Sequence, residues 1–166
     1  GLGRANAQAS AALGLLRSAP PAANASARLD EAIAALRAIA ETYRATPSGE
    51  VAALRLGDLL YAGGRYDDAL GAYQTYLARY PRGPFALQAR VGIGYGYEAK
   101  GDLAKAAAAF GEAADQFGDH PLASDALLGL GRAQEALGKT EEAIKAYTRL
   151  AEKPGAGAGR EIAQQR

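Results

Sequence analysis

Apolar side chains recur at three- and four-residue steps along the middle of this 166-residue chain. Ile33, Leu36, Ile39, Ala40 and Tyr43 fall on one helical face, and Leu70, Tyr73, Tyr76, Leu77 and Tyr80 repeat that face further on. The step between the two sets is 37 residues. The same step links Pro47, Pro84 and Pro121; Ala32, Ala69, Ala106 and Ala143; Gly57, Gly94 and Gly131; Gly64, Gly101 and Gly138; Leu36, Tyr73, Phe110 and Tyr147; and Tyr43, Tyr80 and Phe117. Proline, glycine and aromatic columns kept in phase are not a by-product of an alanine-rich composition, so the chain is organised as a repeat.

Each period predicts two antiparallel helices. The prolines sit where a helix begins, since a missing N–H costs nothing there and the fixed φ suits the first turn. The glycines at 64, 101 and 138 sit where that helix must stop and turn. The second helix carries the apolar stripe, which one helix pair cannot bury by itself and which stacked pairs can. The expected organisation is a divergent first pair over 1–46, repeats over 47–83, 84–120 and 121–157, and a partial C-terminal helix over 158–166 that covers the last pair. Within the first pair, residues 3–17 read as a helix, 18–27 (SAPPAANASA) as a loop and 28–46 as the partner helix. The predicted fold is an all-α, right-handed α-solenoid of about four helix pairs.

Composition agrees with helix throughout. The chain holds 42 Ala and 20 Leu, against 12 Val, Ile and Thr together, and the former lose least on entering a helix. The formal net charge is +1, and no stretch forms a basic arm or stripe of the kind that neutralises phosphates, which excludes nucleic acid as a partner. The lack of Cys removes disulfides, thiolate metal sites and a Cys nucleophile. No apolar run approaches the roughly 18 residues that span a bilayer. No Met occurs, even at position 1. A processed or recombinant fragment is expected, with any signal peptide or N-terminal membrane anchor removed.

The stretch LGDLLYAGGRYDDALGAYQTYLARYP resembles the tetratricopeptide repeat, with Leu56-Gly57, Leu60, Gly64, Tyr66, Ala69, Tyr73, Tyr76 and Pro81 at its signature positions. Later repeats match through Ile93-Gly94, Tyr97, Gly101, Ala106, Phe110 and Ala113, then through Leu130-Gly131, Gly138, Ala143, Tyr147 and Leu150. The period exceeds the usual 34 or so residues, and the excess falls in the turn between repeats. The longer period with linkers YPRGP and FGDHP is similar to bacterial envelope proteins. Among these the opening helix, the Pro/Ala loop and RLDEAIAALRAIAETY resemble YfgM-like ancillary subunits of the Sec translocon, with the YbgF/CpoB coordinator of the Tol-Pal system and the assembly lipoprotein BamD as the alternatives. The resemblance implies a non-catalytic, membrane-anchored scaffold of the periplasm or cell envelope that binds proteins. A regulatory repeat segment of a larger enzyme is the alternative from another class.

The candidate chemistry reduces to packing and peptide binding. The run GIGYGY (Gly92, Gly94, Gly96) lies inside a predicted helix and not between a strand and a helix, as a phosphate loop would; close helix approach explains it better. His120 is the only histidine, and beside Asp119 and Pro121 it reads as a capping or exposed residue. Asp67-Asp68 and Glu141-Glu142 are neighbours in sequence at a helix start, where they suit the helix dipole and cannot face one another. The tyrosines at 43, 66, 73, 76 and 80 read mostly as core. No catalytic residue, cofactor or metal site is predicted.

The family's concave groove is lined by the first helix of each pair. Carried over with repeats starting at Glu50, Leu87 and Ser124, the groove positions are Val51, Leu54, Asp58 and Tyr61; Gln88, Val91, Tyr95 and Glu98; and Asp125, Leu128, Arg132 and Glu135. Positions that in some relatives clamp a C-terminal carboxylate are apolar or Gly here, with Arg55 the lone cation. The implied protein-binding residues are Arg55, Asp58, Tyr61, Gln88, Tyr95, Glu98, Asp125, Arg132 and Glu135. Their mixture of aromatic and charged groups suits an extended or helical peptide with apolar anchors and some basic character.

Overall fold

The computed structural model describes residues 3–8, 10 and 24–154. The regular structure of these residues is helical: a short segment at 3–8, then α1 (Ala25–Thr42), α2 (Pro47–Ala62), α3 (Tyr66–Arg79), α4 (Ala86–Ala99), α5 (Leu103–Gln116), α6 (Ala123–Ala136) and α7 (Thr140–Ala151). The chain forms two compact units, Gly1–Gly83 and Pro84–Arg166. In the first unit α2 packs on α1 and α3. In the second, consecutive helices pack on one another and α6 also meets α4. The predicted C-terminal helix at 158–166, the GAGAG run and most of the 18–27 loop lie outside the described residues.

The tight turn within each pair rests on one glycine. Gly64, Gly101 and Gly138 have φ of 75°, 78° and 74°, a left-handed conformation that costs other residues roughly 1–2 kcal/mol. Their N–H groups donate to the carbonyls of Tyr61, Glu98 and Glu135, closing the helix end.

A second glycine column sets how closely the two helices of a pair approach. A Cβ on Gly57 would lie 2.5 Å from the Tyr73 ring, and one on Gly94 would lie 2.6 Å from the Phe110 ring. Gly131 meets Tyr147 in the same way. The rings of one column therefore occupy the space that the other column leaves empty. Phe110 is fully buried, with Tyr95 set edge-on at 5.2 Å between centroids. The small column Ala69, Ala106 and Ala143 is also buried. Of the expected core tyrosines, Tyr73 and Tyr76 are buried, while Tyr43, Tyr66 and Tyr80 are half-buried.

Helix boundaries depart from the sequence expectation at three places. The partner helix expected at 28–46 runs Ala25–Thr42. It stops early because Thr46 precedes Pro47 and takes an extended conformation, φ −119° and ψ 156°. The Thr46 hydroxyl donates to the Tyr43 carbonyl and accepts from the Gly49 N–H, capping α2. At its other end α1 gains the helix-forming Ala25-Ser26-Ala27. Pro47 stands in the first turn of α2 as expected, but Pro84 and Pro121 lie two residues before α4 and α6. At the latter, Ala123 N–H reaches the His120 carbonyl, so one extra turn precedes the regular helix.

Candidate protein-binding surface

In the first unit, α2 places Arg55, Asp58 and Tyr61 three residues apart, hence on one face. Arg55 donates to Asp58 Oδ2 at 3.1 Å, and the Tyr73 hydroxyl of α3 donates to Asp58 Oδ1 at 2.6 Å. Asp58 thus ties α2 to α3 while keeping the exposed Arg55 on the surface. Burial, and then the Asp58 carboxylate, push the Tyr73 phenol far above the ordinary tyrosine range. Tyr61 is half-buried, with its ring 5.4 Å from that of Tyr66. Leu54, carried over as a groove position, is 1% exposed and belongs to the core.

In the second unit, Arg132 of α6 reaches Glu98 of α4 with both arms of its guanidinium, Nε and Nη2 each 2.9 Å from a carboxylate oxygen. The same guanidinium lies 6.0 Å over the Tyr95 ring. Glu98 is the main cause holding Arg132 even more firmly protonated than usual. Tyr95, Glu98 and Arg132 therefore form one cluster, two of them half-buried, that joins α4 to α6. Gln88 is half-buried at the start of α4, while Asp125, Leu128 and Glu135 are exposed on α6.

Several contacts escaped the sequence. The Tyr76 hydroxyl donates to Glu50 at 2.7 Å, with Gly83 lying against both. Arg65 pairs with Asp30, Arg79 with Glu41 and Arg149 with Asp115, joining one helix pair to the next within each unit. His120 Nδ1 accepts from the Leu122 N–H at 3.1 Å, a local cap where α6 begins. An open furrow of about 640 Å³ lies beside α5, floored by Ala104, Ala107, Ala108 and Gly111 and walled by Leu130 and Leu137. Charges of opposite sign alternating in a repeat are the only sequence signal for the ion pairs, and they do not say which partner each side chain chooses.

The displaced groups, Tyr73 and Arg132, are displaced by partners across a helix interface and not by a neighbouring acid or base inside a cleft. Among the described residues, no three His, Asp or Glu side chains converge as a metal site, and no helix is long and apolar enough to cross a membrane. The arrangement supports non-covalent recognition: amphipathic tyrosines, forked guanidinium groups and exposed carboxylates on helix faces.

Comparison with solved structures agrees with this architecture. A putative kinesin light chain from Podosopora anserina with TPR-like repeats superposes with a TM-score of 0.70 at 17% identity, covering 98% of this chain and 84% of that one. MamA matches with a TM-score of 0.64 at 18% identity, covering 95% and 85%. A tetratricopeptide repeat protein from Parabacteroides merdae gives 0.63 at 19%, covering 84% of this chain and 54% of that one. These likenesses carry the fold alone. No curated protein matches the sequence significantly. The tetratricopeptide repeat profile matches residues 21–84 and 91–158, most of the chain, and with the glycine turns and ring-into-glycine packing above it shows that the chain belongs to the tetratricopeptide repeat family.

Proposed function

We propose that this chain is a non-catalytic scaffold that holds a segment of another protein against the faces of its first helices. The observation that carries the reading is the α2 face, where Asp58, fixed by the buried Tyr73, holds the exposed Arg55 one turn from Tyr61. Such a face presents a cation and an aromatic in fixed relation, the residue types enriched where proteins bind one another. On the second unit, Gln88 and the Tyr95–Glu98–Arg132 cluster offer a comparable surface.

The place of action is proposed to be the bacterial cell envelope, with a membrane anchor outside this sequence and a YfgM-like role near the translocon or periplasmic chaperones. The 37-residue period with its YPRGP linker and the Pro/Ala-rich opening support that reading. Fractionation of the full-length protein tests it: recovery with the membranes is expected, and a cytosolic soluble protein would rule it out.

Binding is tested with Arg55→Ala and Tyr61→Ala. The first removes an exposed guanidinium and the second a half-buried ring. Loss of partner capture with an unchanged melt is expected; capture unaffected by both would reject the α2 face. Tyr95→Ala is a poorer test, because that ring also packs on Phe110.

A further inference from the structure

The last helix pair carries the exposed large apolar side chains that the repeat elsewhere buries. Leu128 on α6 is 41% exposed and Ile144 on α7 is 58% exposed. Leu128 stands in register with Leu54 and Val91, which are 1% and 7% exposed. Ile144 stands in register with Ile33, Leu70 and Ala107, at 4%, 6% and 6%.

The second unit shows what makes the difference. There α6 packs on both α4 and α5, and its Ala126 and Leu127 join Val91 of α4 and Ala107 of α5 in one apolar cluster. The groove between α4 and α5 is a seat, and α6 fills it. One register later, α6 and α7 build the same seat, and Leu128 and Ile144 are its floor.

Charge follows the same register. Glu98 on the α4 side of the filled seat receives Arg132 from the seated helix. Its equivalent on α6 is Glu135, which is exposed, as are Asp125 on the same helix and Glu141 one turn before Ile144 on α7. An occupant therefore meets an apolar floor with carboxylates along its edges, one of them where the preceding seat takes an arginine.

We propose that this seat binds an amphipathic helix of a partner protein, added in register as α6 is added to α4 and α5. The helix carries a small residue where it crosses, as Ala126 does, and a basic residue six positions on, as Arg132 is to Ala126, to meet Glu135. This is a binding mode separate from the first-helix faces, since it extends the stack instead of lying along it.

The probe is a helix-stapled peptide of the α6 sequence, ASDALLGLGRAQEA, titrated into the full chain with methyl-labelled leucine and isoleucine. Saturable shifts at Leu128 and Ile144 are expected. Ile144→Asp, at a position exposed enough to leave the fold intact, should weaken binding at least about tenfold, or 1.4 kcal/mol. Glu135→Lys should weaken the parent peptide and restore binding of a peptide carrying Arg132→Glu. The proposal fails if no saturable shift occurs at these methyls or if Ile144→Asp has no effect. It also fails if the peptide binds only after residues 155–166 are deleted, which would make the chain's own terminus the occupant. A concentration-dependent dimer abolished by Ile144→Asp would assign the seat to a second copy and equally overturn it.

Discussion

At the scale of single residues, the fold depends on where a methyl group is forbidden. Gly94 and Gly71 are both helical, but a Cβ at Gly94 collides with Phe110 whereas at Gly71 it meets nothing within 4 Å. Gly94→Leu is expected to lower stability by about 1–3 kcal/mol or more through overpacking. Gly71→Ala should raise it by about 0.5–1 kcal/mol, because only the helix propensity changes. Denaturant melts of the two variants check this, and equal effects would refute the close-approach account. Tyr73 supplies a second test. Its folded-state pKa is raised by burial and by Asp58, so its contribution to stability is present below the ordinary tyrosine pKa and is lost as pH rises beyond it. Tyr73→Phe should cost about 1–3 kcal/mol at neutral pH, the range for a hydrogen bond to a charged group, and should flatten the alkaline fall in stability. Unfolding curves at rising pH would show it.

At the scale of the helices, the sequence was most readable where chemistry leaves one option. Proline and glycine columns mark turns because few other residues tolerate those backbone angles, and Gly64, Gly101 and Gly138 all adopt the left-handed conformation. The glycines of GIGYGY lie within α4, with Gly94 against a ring, as the helix-approach reading required. Acidic pairs Asp67-Asp68 and Glu141-Glu142 stand in the first turns of α3 and α7. Less readable were pairings of long side chains across helices. Arg132 choosing Glu98, or Arg79 choosing Glu41, depends on how far each side chain extends over the neighbouring helix, which spacing alone does not encode. The early end of α1 was legible in principle, since the residue before Pro47 is barred from helix. Arg79, and then Arg44, hold the Glu41 carboxyl below its ordinary value. A carboxyl lowered in the folded state contributes above the ordinary carboxylate range and loses that contribution as pH falls through its folded pKa. Arg79→Gln should therefore move Glu41 back toward ordinary titration, read by carboxyl NMR, with little change in stability because the pair is exposed.

For the whole molecule, alanine content and repeat are one fact seen twice. The small column at 32, 69, 106 and 143 is buried at every repeat, and closely spaced helices need it. The same economy leaves few side chains for chemistry, so the functional claim rests on exposed faces and not on a pocket with reactive groups. Tetratricopeptide folds hold unrelated ligands through a few variable side chains, and the identity of the bound protein is a property of those side chains, not of the repeat. The most direct measurement is site-specific photo-crosslinking of the full-length protein in its own cells, with the reactive residue at position 61, 88 or 71. The scaffold account predicts one common protein captured from positions 61 and 88, on α2 and α4, and none from position 71, on the outer side of α3. Capture that is equal at all three positions, or absent from 61 and 88, would contradict it.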